Sequence, residues 1–123
     1  MTKRKHQNEY KRTPAQTLLG IHLKELGMLV FYEIHIPEDS ARRFDLAAWN
    51  ERLLFEISGG NWNGGHRRGA EQEKEYEKIN TAQMMGWRVM QFTNRQVLTG
   101  QAKAFLEQWL AGDCRHSAAT KRA

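Results

Sequence analysis

The stretch from Phe44 to Ser58 decides the fold, because two short apolar runs in it meet at a polar turn. It reads Phe44-Asp45-Leu46-Ala47-Ala48-Trp49-Asn50-Glu51-Arg52-Leu53-Leu54-Phe55-Glu56-Ile57-Ser58. Apolar and other side chains alternate in both runs, which is typical of β-strands. We interpret the stretch as a hairpin that turns at Asn50-Glu51, with Trp49 facing Arg52. In the same register, Asp45 faces Glu56.

This hairpin register separates an apolar face from an acidic one. The expected apolar face contains Phe44, Leu46, Ala48, Leu53, Phe55 and Ile57. Asp45 and Glu56 share the other face, where two directly opposed carboxylates repel each other. A divalent cation between them would remove the repulsion, and carboxylates are ligands that Mg²⁺ prefers. The alternative is a surface ion-pair cluster in which Arg43 or Arg52 neutralises the two acids.

Signals on either side extend the hairpin into a mixed α/β domain. Thr13 and Pro14 predict the start of a helix, as N-cap and first residue, and Gly27 predicts its end. The other expected elements are strands over 28–36, 43–49, 52–58 and 87–92, a helix over 71–85 and a helical segment from 93 to about 112. The last strand follows a helix, so it can return parallel to one of the first three.

Length and hydropathy place the chain among small globular domains. Its 123 residues suffice for one domain, which we assign to 13–112, between a flexible basic arm (1–12) and a flexible basic tail (113–123). A mean hydropathy of −0.75, with no apolar run of about 20 residues, excludes a membrane-spanning protein. No apolar segment follows the basic start, so we expect no secretory signal.

Charge and cysteine content indicate the setting and the kind of partner. Nineteen Lys and Arg against fourteen Asp and Glu give a net charge of +5, which suits a polyanion, nucleic acid first. The single Cys114 forbids an internal disulfide and favours a reducing, cytoplasmic setting, the host cytoplasm if the chain is phage-encoded. The five histidines have no zinc-site spacing.

A glycine-rich, cationic segment follows Glu56 and ends at Gly69. Glycines let a backbone approach a phosphate closely, and Arg67 and Arg68 can pair with phosphate oxygens. Trp62 either stacks on a base or plugs the edge of the core. His66 is either a nucleic-acid contact or a solvated loop side chain. A plain surface loop is the alternative for the segment as a whole.

The helix over 71–85 contributes a lysine to the same region. Its expected buried stripe consists of Tyr76, Ile79, Ala82 and Met85. Lys78 flanks that stripe, so it can point toward the two acids. The alternative is an ordinary helix-surface ion pair with Glu75.

Several motifs occur in a fixed order. They are Arg43-Phe44-Asp45-Leu46-Ala47, Phe55-Glu56-Ile57-x-Gly59-Gly60-x-Trp62, His66-x-Arg68-Gly69, Glu77-Lys78-x-Asn80 and Gly86-Trp87-Arg88-Val89. This combination resembles the PD-(D/E)XK nuclease superfamily. It is most similar to the small, often phage-encoded endonucleases of the VRR-NUC-like and Holliday-junction-resolvase-like groups. The resemblance implies a restriction-endonuclease-like αβββαβ core with a mixed sheet flanked by helices, followed here by a C-terminal helix.

The resemblance also implies the roles of individual residues. Asp45 and Glu56 would bind a catalytic Mg²⁺, for which Mn²⁺ substitutes, together with the backbone carbonyl of Ile57. Lys78 would orient the attacking water. Asn80 belongs to the Lys-x-Asn motif and is expected at the nucleic-acid interface with Trp62, His66, Arg67 and Arg68.

Two positions depart from the family pattern. Ser58 occupies the usual lysine position two residues after the glutamate, and relatives of the closest type often have an acid there. Gln16 stands where the first helix often carries a glutamate, so both are accessory candidates and weaker metal binding is expected.

We therefore expect a Mg²⁺-dependent endonuclease that hydrolyses phosphodiester bonds in DNA. The sequence does not decide whether it prefers a particular DNA structure. A nuclease fold that binds DNA with weak or no catalysis is the alternative, and a nuclease acting on RNA is a third hypothesis. Paired cuts would need a homodimer. The aromatic residues near Trp109 are a candidate contact between the two subunits, and packing in the core is the alternative.

Overall fold

The structure, a computed structural model, describes residues 12–59 and 69–112. The elements in these ranges are α1 (Pro14–Glu25), β1 (Val30–Ile36), β2 (Asp39–Ala48), β3 (Leu53–Ser58), α2 (Ala70–Met84), β4 (Arg88–Thr93), α3 (Asn94–Leu98) and α4 (Gln101–Leu110). The predicted class, a mixed α/β fold of αβββαβ order with helix after it, is confirmed. The expected basic tail and all of the expected arm except Arg12 lie outside the described residues.

The four strands form one mixed sheet in the order β1-β2-β3-β4. β1 pairs antiparallel with β2, β2 antiparallel with β3, and β3 parallel with β4. The register pairs Leu46 with Phe55 and Ala48 with Leu53. The N–H of Arg52 donates to the carbonyl of Trp49 at 3.1 Å. The predicted hairpin and the parallel return of the last strand are both confirmed.

Helices cover both faces of this sheet. One core lies beneath α1, α3 and α4 and includes Leu19, Leu46, Leu53, Phe55, Val97 and Leu106. The second core lies beneath α2 and contains Ile36, Phe44, Ala47, Leu54, Ala82 and Trp87. A helix on each face is what a sheet with a parallel pair requires, since both of its faces must be buried.

Strand β2 departs from the predicted pattern in two ways. It begins at Asp39 instead of 43, because β1 and β2 form a tight hairpin that pairs Ile36 with Asp39. Phe44 packs in the core beneath α2, so the expectation that it shares a face with Leu46 was wrong. The neighbouring strand is irregular at Glu33, whose φ of 50° interrupts the extended backbone and with it the simple alternation of faces.

The buried stripe predicted for the long helix was also wrong in part. Ala82 is buried, whereas Tyr76 and Met85 are 56% and 44% exposed. Helix α2 is strongly polar, so it packs against the sheet over a narrow strip and leaves most of its length in solvent.

Arg52 joins the β2–β3 turn to the end of α2. Its guanidinium donates to the carbonyls of Met85 (3.0 Å) and Gly86 (3.5 Å), pairs with Glu38 at 3.5 Å and lies 4.3 Å from the ring of Trp87. A cation here satisfies carbonyls that the helix leaves without internal partners.

Replacement of Arg52 by alanine should lower the free energy of unfolding by about 1–2 kcal/mol, because charge-assisted hydrogen bonds and a cation–π contact are lost at a half-exposed position. Urea unfolding of Arg52→Ala measures the loss. Arg95→Ala, at an exposed position of α3, is the control and should change stability by less than about 0.5 kcal/mol. Equal losses in the two variants would contradict the assigned role.

Candidate active site

Strands β2 and β3 bring the two predicted acids together. One step beyond the pair Leu46–Phe55, the register sets Asp45 opposite Glu56. The N–H of Ile57 donates to Asp45 Oδ2 at 2.8 Å, which fixes the direction of that carboxylate. Both side chains are only partly exposed, so the site is a shielded acid pair within β2 and β3 and not an open surface cluster.

Lysine 78 reaches this pair from α2. Its Nζ donates to Glu56 Oε2 at 2.9 Å and lies 4.6 Å from the centre of the Phe44 ring. The side chain is 14% exposed and that of Glu56 18% exposed. Its contact with Glu75 is longer, at 3.9 Å. The helix-surface ion pair is therefore the lesser of the two contacts, and Lys78 points into the site.

Burial makes both carboxylates harder to ionise. Desolvation raises the pKa of Asp45 above its ordinary value, and the hydrogen bond from Ile57 opposes the rise. Desolvation raises the pKa of Glu56 to about 7; the hydrogen bond from Lys78 opposes this, and the charge of Asp45 adds to it. Only when both carboxylates are ionised does the pair carry one more negative charge than Lys78 balances.

The neutralising arginines of the alternative interpretation lie elsewhere. Arg43 pairs through Nε with Glu33 at 3.0 Å, and Arg52 pairs with Glu38. Among residues 12–59 and 69–112, neither arginine forms an ion pair with Asp45 or Glu56. Lys78 is the cation that contacts Glu56, whereas Arg43 acts on Asp45 through its charge and not through a direct ion pair.

Two polar residues that the sequence analysis did not select extend the site across the sheet. Glu33 lies between the β1–β2 pairs Tyr32–Leu46 and Ile34–Phe44, and thus across from Asp45. Its charge also raises the pKa of Asp45. Gln91 pairs with Glu56 in the parallel β3–β4 register. Their positions depend on strand order and register, which local sequence pattern does not give.

The accessory candidates occupy different places. Gln16 is buried in α1, where its side chain accepts from the Thr13 N–H at 3.0 Å and donates to Glu33 Oε2 at 2.8 Å. Ser58 is exposed and pairs with Thr93 at the end of β3. Asn80 is exposed and follows Lys78 by two helical positions, about 200° around α2, so it faces away from Lys78. Trp62, His66, Arg67 and Arg68 lie outside the described residues.

The donor set fits a small hard cation. Within 12–59 and 69–112 no group of three or more His, Cys, Asp and Glu is arranged around a common point, so two carboxylates are the side chains available. Mg²⁺ is commonly bound by one or two carboxylates together with water and substrate phosphate. The unbalanced buried charge of Asp45 and Glu56 is what such an ion would compensate.

Comparison with known proteins identifies a structural neighbour. The fold is similar to that of the homing endonuclease I-Bth0305I catalytic domain, with a TM-score of 0.61 and 14% sequence identity. The match covers 83% of this chain and 99% of that domain. No protein-family model matches the sequence, and no curated protein does. The chain therefore shares the fold of a nuclease catalytic domain.

No helix of the described ranges combines the length and the apolar character that crossing a bilayer requires.

Metal-free protein should lose stability as pH rises from about 4.5 through about 7. The folded state holds the proton of Glu56 more tightly than the unfolded chain does, so the stabilising effect is complete below 4.5 and is lost as Glu56 ionises near 7. The raised pKa of Asp45 acts in the same direction. Urea unfolding in EDTA between pH 4.5 and 8 measures the decline.

Glu56→Gln should remove most of this decline, since an amide does not titrate. Glu25→Gln is the matched control, because Glu25 forms an ion pair with Lys103 at 3.1 Å on the surface between α1 and α4. A Glu56→Gln profile parallel to that of the wild-type protein would show that Glu56 is not the titrating group.

Proposed function

We propose that this chain is a Mg²⁺-dependent endonuclease that hydrolyses phosphodiester bonds in DNA, and that it belongs to the PD-(D/E)XK superfamily. The observation that carries the proposal is the convergence of Asp45, Glu56 and Lys78 at one place in the sheet. The fold shared with a homing endonuclease catalytic domain supports it. Relationship to the VRR-NUC-like group rests on the sequence motifs alone.

Asp45 and Glu56 would hold the ion, with the carbonyl of Ile57 as a third protein ligand. The Ile57 N–H already orients the Asp45 carboxylate, so little reorganisation is needed there. A bound Mg²⁺ supplies Lewis-acid activation of the phosphate and of the attacking water. Ser58 and Gln16 would act as accessory groups, Ser58 at the exposed end of β3 and Gln16 through Glu33.

Lys78 would stabilise negative charge that develops on the phosphate during hydrolysis. Its ammonium group is already held beside the acids by Glu56 Oε2 and the Phe44 ring. A pre-positioned, largely buried cation acts more strongly than one in water, because solvent does not screen it. The same group can orient a water molecule for attack.

DNA is the proposed partner, since the net charge of +5 favours a polyanion. Arg67, Arg68, Trp62 and His66 are proposed contacts, with Asn80 on α2. The single cysteine is consistent with a reducing cytoplasm. We also propose that the enzyme prefers one DNA structure and that a dimer makes paired cuts. Cleavage of several DNA structures tests the preference.

Asp45→Asn, Glu56→Gln and Lys78→Met should each reduce Mg²⁺-dependent cleavage of DNA by about 100-fold or more, because each removes a group that touches the ion or the reacting phosphate. The assay uses linear, nicked, flapped and four-way DNA and matched RNA, each with Mg²⁺ or EDTA. Circular dichroism verifies that the variants fold.

Glu25→Gln and Lys103→Met make the same chemical changes in a surface ion pair that joins α1 to α4. These controls should retain cleavage within about twofold. Full activity in Asp45→Asn, with protein free of host nucleases, would refute the metal site. Cleavage of RNA but not of DNA would show that the substrate is RNA.

Metal titration separates an active enzyme from a nuclease fold that only binds DNA. The second alternative is favoured by Gln16 and Ser58, which stand where relatives often carry acids. Mn²⁺, measured by calorimetry, should bind the wild-type protein more tightly at pH 8 than at pH 6, because Glu56 with a pKa of about 7 must lose its proton first. Glu56→Gln should lose this binding. Wild-type protein that shifts DNA and binds no Mn²⁺ would support the non-catalytic alternative.

A further inference from the structure

An acidic residue in a strained backbone conformation lies beside the candidate site. Glu33 has a φ of 50°, in the left-handed region that side chains other than glycine rarely adopt. It lies inside β1, where its neighbours Tyr32 and Ile34 pair regularly with β2. Strain of this kind persists only where surrounding contacts hold it, and it is concentrated at functional sites.

Helix α1 holds one oxygen of this carboxylate. Gln16 Nε2 donates to Glu33 Oε2 at 2.8 Å, and Gln16 Oε1 accepts from the Thr13 N–H at 3.0 Å. Gln16 is 6% exposed, so both ends of its amide are fixed in a buried place. The first turn of α1 thereby determines where the Glu33 carboxylate lies.

The other oxygen of Glu33 directs an arginine. Arg43 Nε lies 3.0 Å from Glu33 Oε1, while the Arg43 side chain remains 61% exposed. Within 12–59 and 69–112, this contact uses Nε and no hydrogen bond or ion pair engages the two terminal nitrogens, so they can bind a second anion. A guanidinium binds phosphate oxygens through two parallel hydrogen bonds, which fixes the orientation of the phosphate as well as its position.

Arg43 is close to the acid pair without neutralising it. It precedes Asp45 by two residues on β2, and it pairs in register with His35 on β1. Its charge lowers the pKa of Asp45 less than that of Lys78 does. The Arg43 guanidinium is mostly exposed and its orientation is fixed by Glu33, so it is suited to bind an incoming anion.

We propose that Arg43 binds a backbone phosphate of DNA beside the acid pair, and that Glu33 is the positioning residue that aims it. The inference rests on the proposed function and deepens it. Neither residue contacts Lys78 or Glu56 among the hydrogen bonds and ion pairs of the described ranges, and both act on Asp45 only through their charges.

Salt dependence of DNA binding tests Arg43. The protein binds a labelled DNA duplex in EDTA, and the logarithm of the binding constant is followed against the logarithm of salt concentration. Arg43→Ala should weaken binding about tenfold and reduce the magnitude of the slope by about 1, since one phosphate contact releases about one counterion. A slope equal to that of the wild-type protein would overturn the proposal.

Arg42→Ala is the matched control. It removes the same charge from the preceding residue, whose guanidinium lies 2.9 Å from Asp39 and 3.7 Å from Glu77. Because Asp39 and Glu77 already pair with the Arg42 guanidinium, the salt-dependence slope of Arg42→Ala should change by less than half as much as that of Arg43→Ala. Equal changes in the two variants would mean that net charge alone is measured, and would overturn the assignment to Arg43.

Glu33→Gly tests the positioning role. Glycine adopts positive φ freely, which offsets part of the stability lost with the Gln16 and Arg43 contacts, so the variant should remain folded while kcat falls at least about tenfold, with the salt slope kept. An unchanged kcat in the folded variant, or a fall in kcat that only accompanies loss of the folded state, would overturn the role of Glu33. Absence of cleavage by the wild-type protein would instead refute the proposed function, and the slope of Arg43→Ala would then decide the inference.

Discussion

The burial of two like charges, Asp45 and Glu56, on the neighbouring strands β2 and β3 is the constraint on which the site depends. Desolvation raises the pKa of both, so the folded protein holds these acids at a cost in stability. The hydrogen bonds from Lys78 and from the Ile57 backbone offset part of that cost. A folded domain with no use for the pair gains nothing from such an arrangement, which is why we propose a function for it.

The fold supplies the rigidity that this pair requires. Asp45 and Glu56 each lie within one or two residues of fully buried positions such as Leu46 and Phe55, which anchor β2 and β3 in the core. β3 is also paired on its other side with β4 along its whole length. The acids are thus held by regular strands, and Lys78 alone arrives from a helix that is largely in solvent.

The sequence predicted the elements and the centre of the site because both are encoded locally. A two-residue turn between alternating runs set the register that opposes Asp45 and Glu56, and that register was confirmed. The face of Phe44 was predicted wrongly, because the irregular backbone at Glu33 is in the neighbouring strand and has no local signal. Glu33 and Gln91 were not predicted as part of the site, because only the pairing of β1 with β2 and of β3 with β4 brings them beside the acids.

Charge balance connects the proposed chemistry to the observed contacts. With both carboxylates ionised, Asp45, Glu56 and Lys78 carry one net negative charge, which repels a phosphodiester. A divalent cation would change that to one net positive charge, which attracts a single phosphodiester. Under the proposed function, the ionised acid pair without its ion would therefore oppose DNA locally, and productive binding would be coupled to metal binding. Glu33 and Arg43 form an ion pair of zero net charge beside the acids, and of the two Glu33 acts more strongly on Asp45.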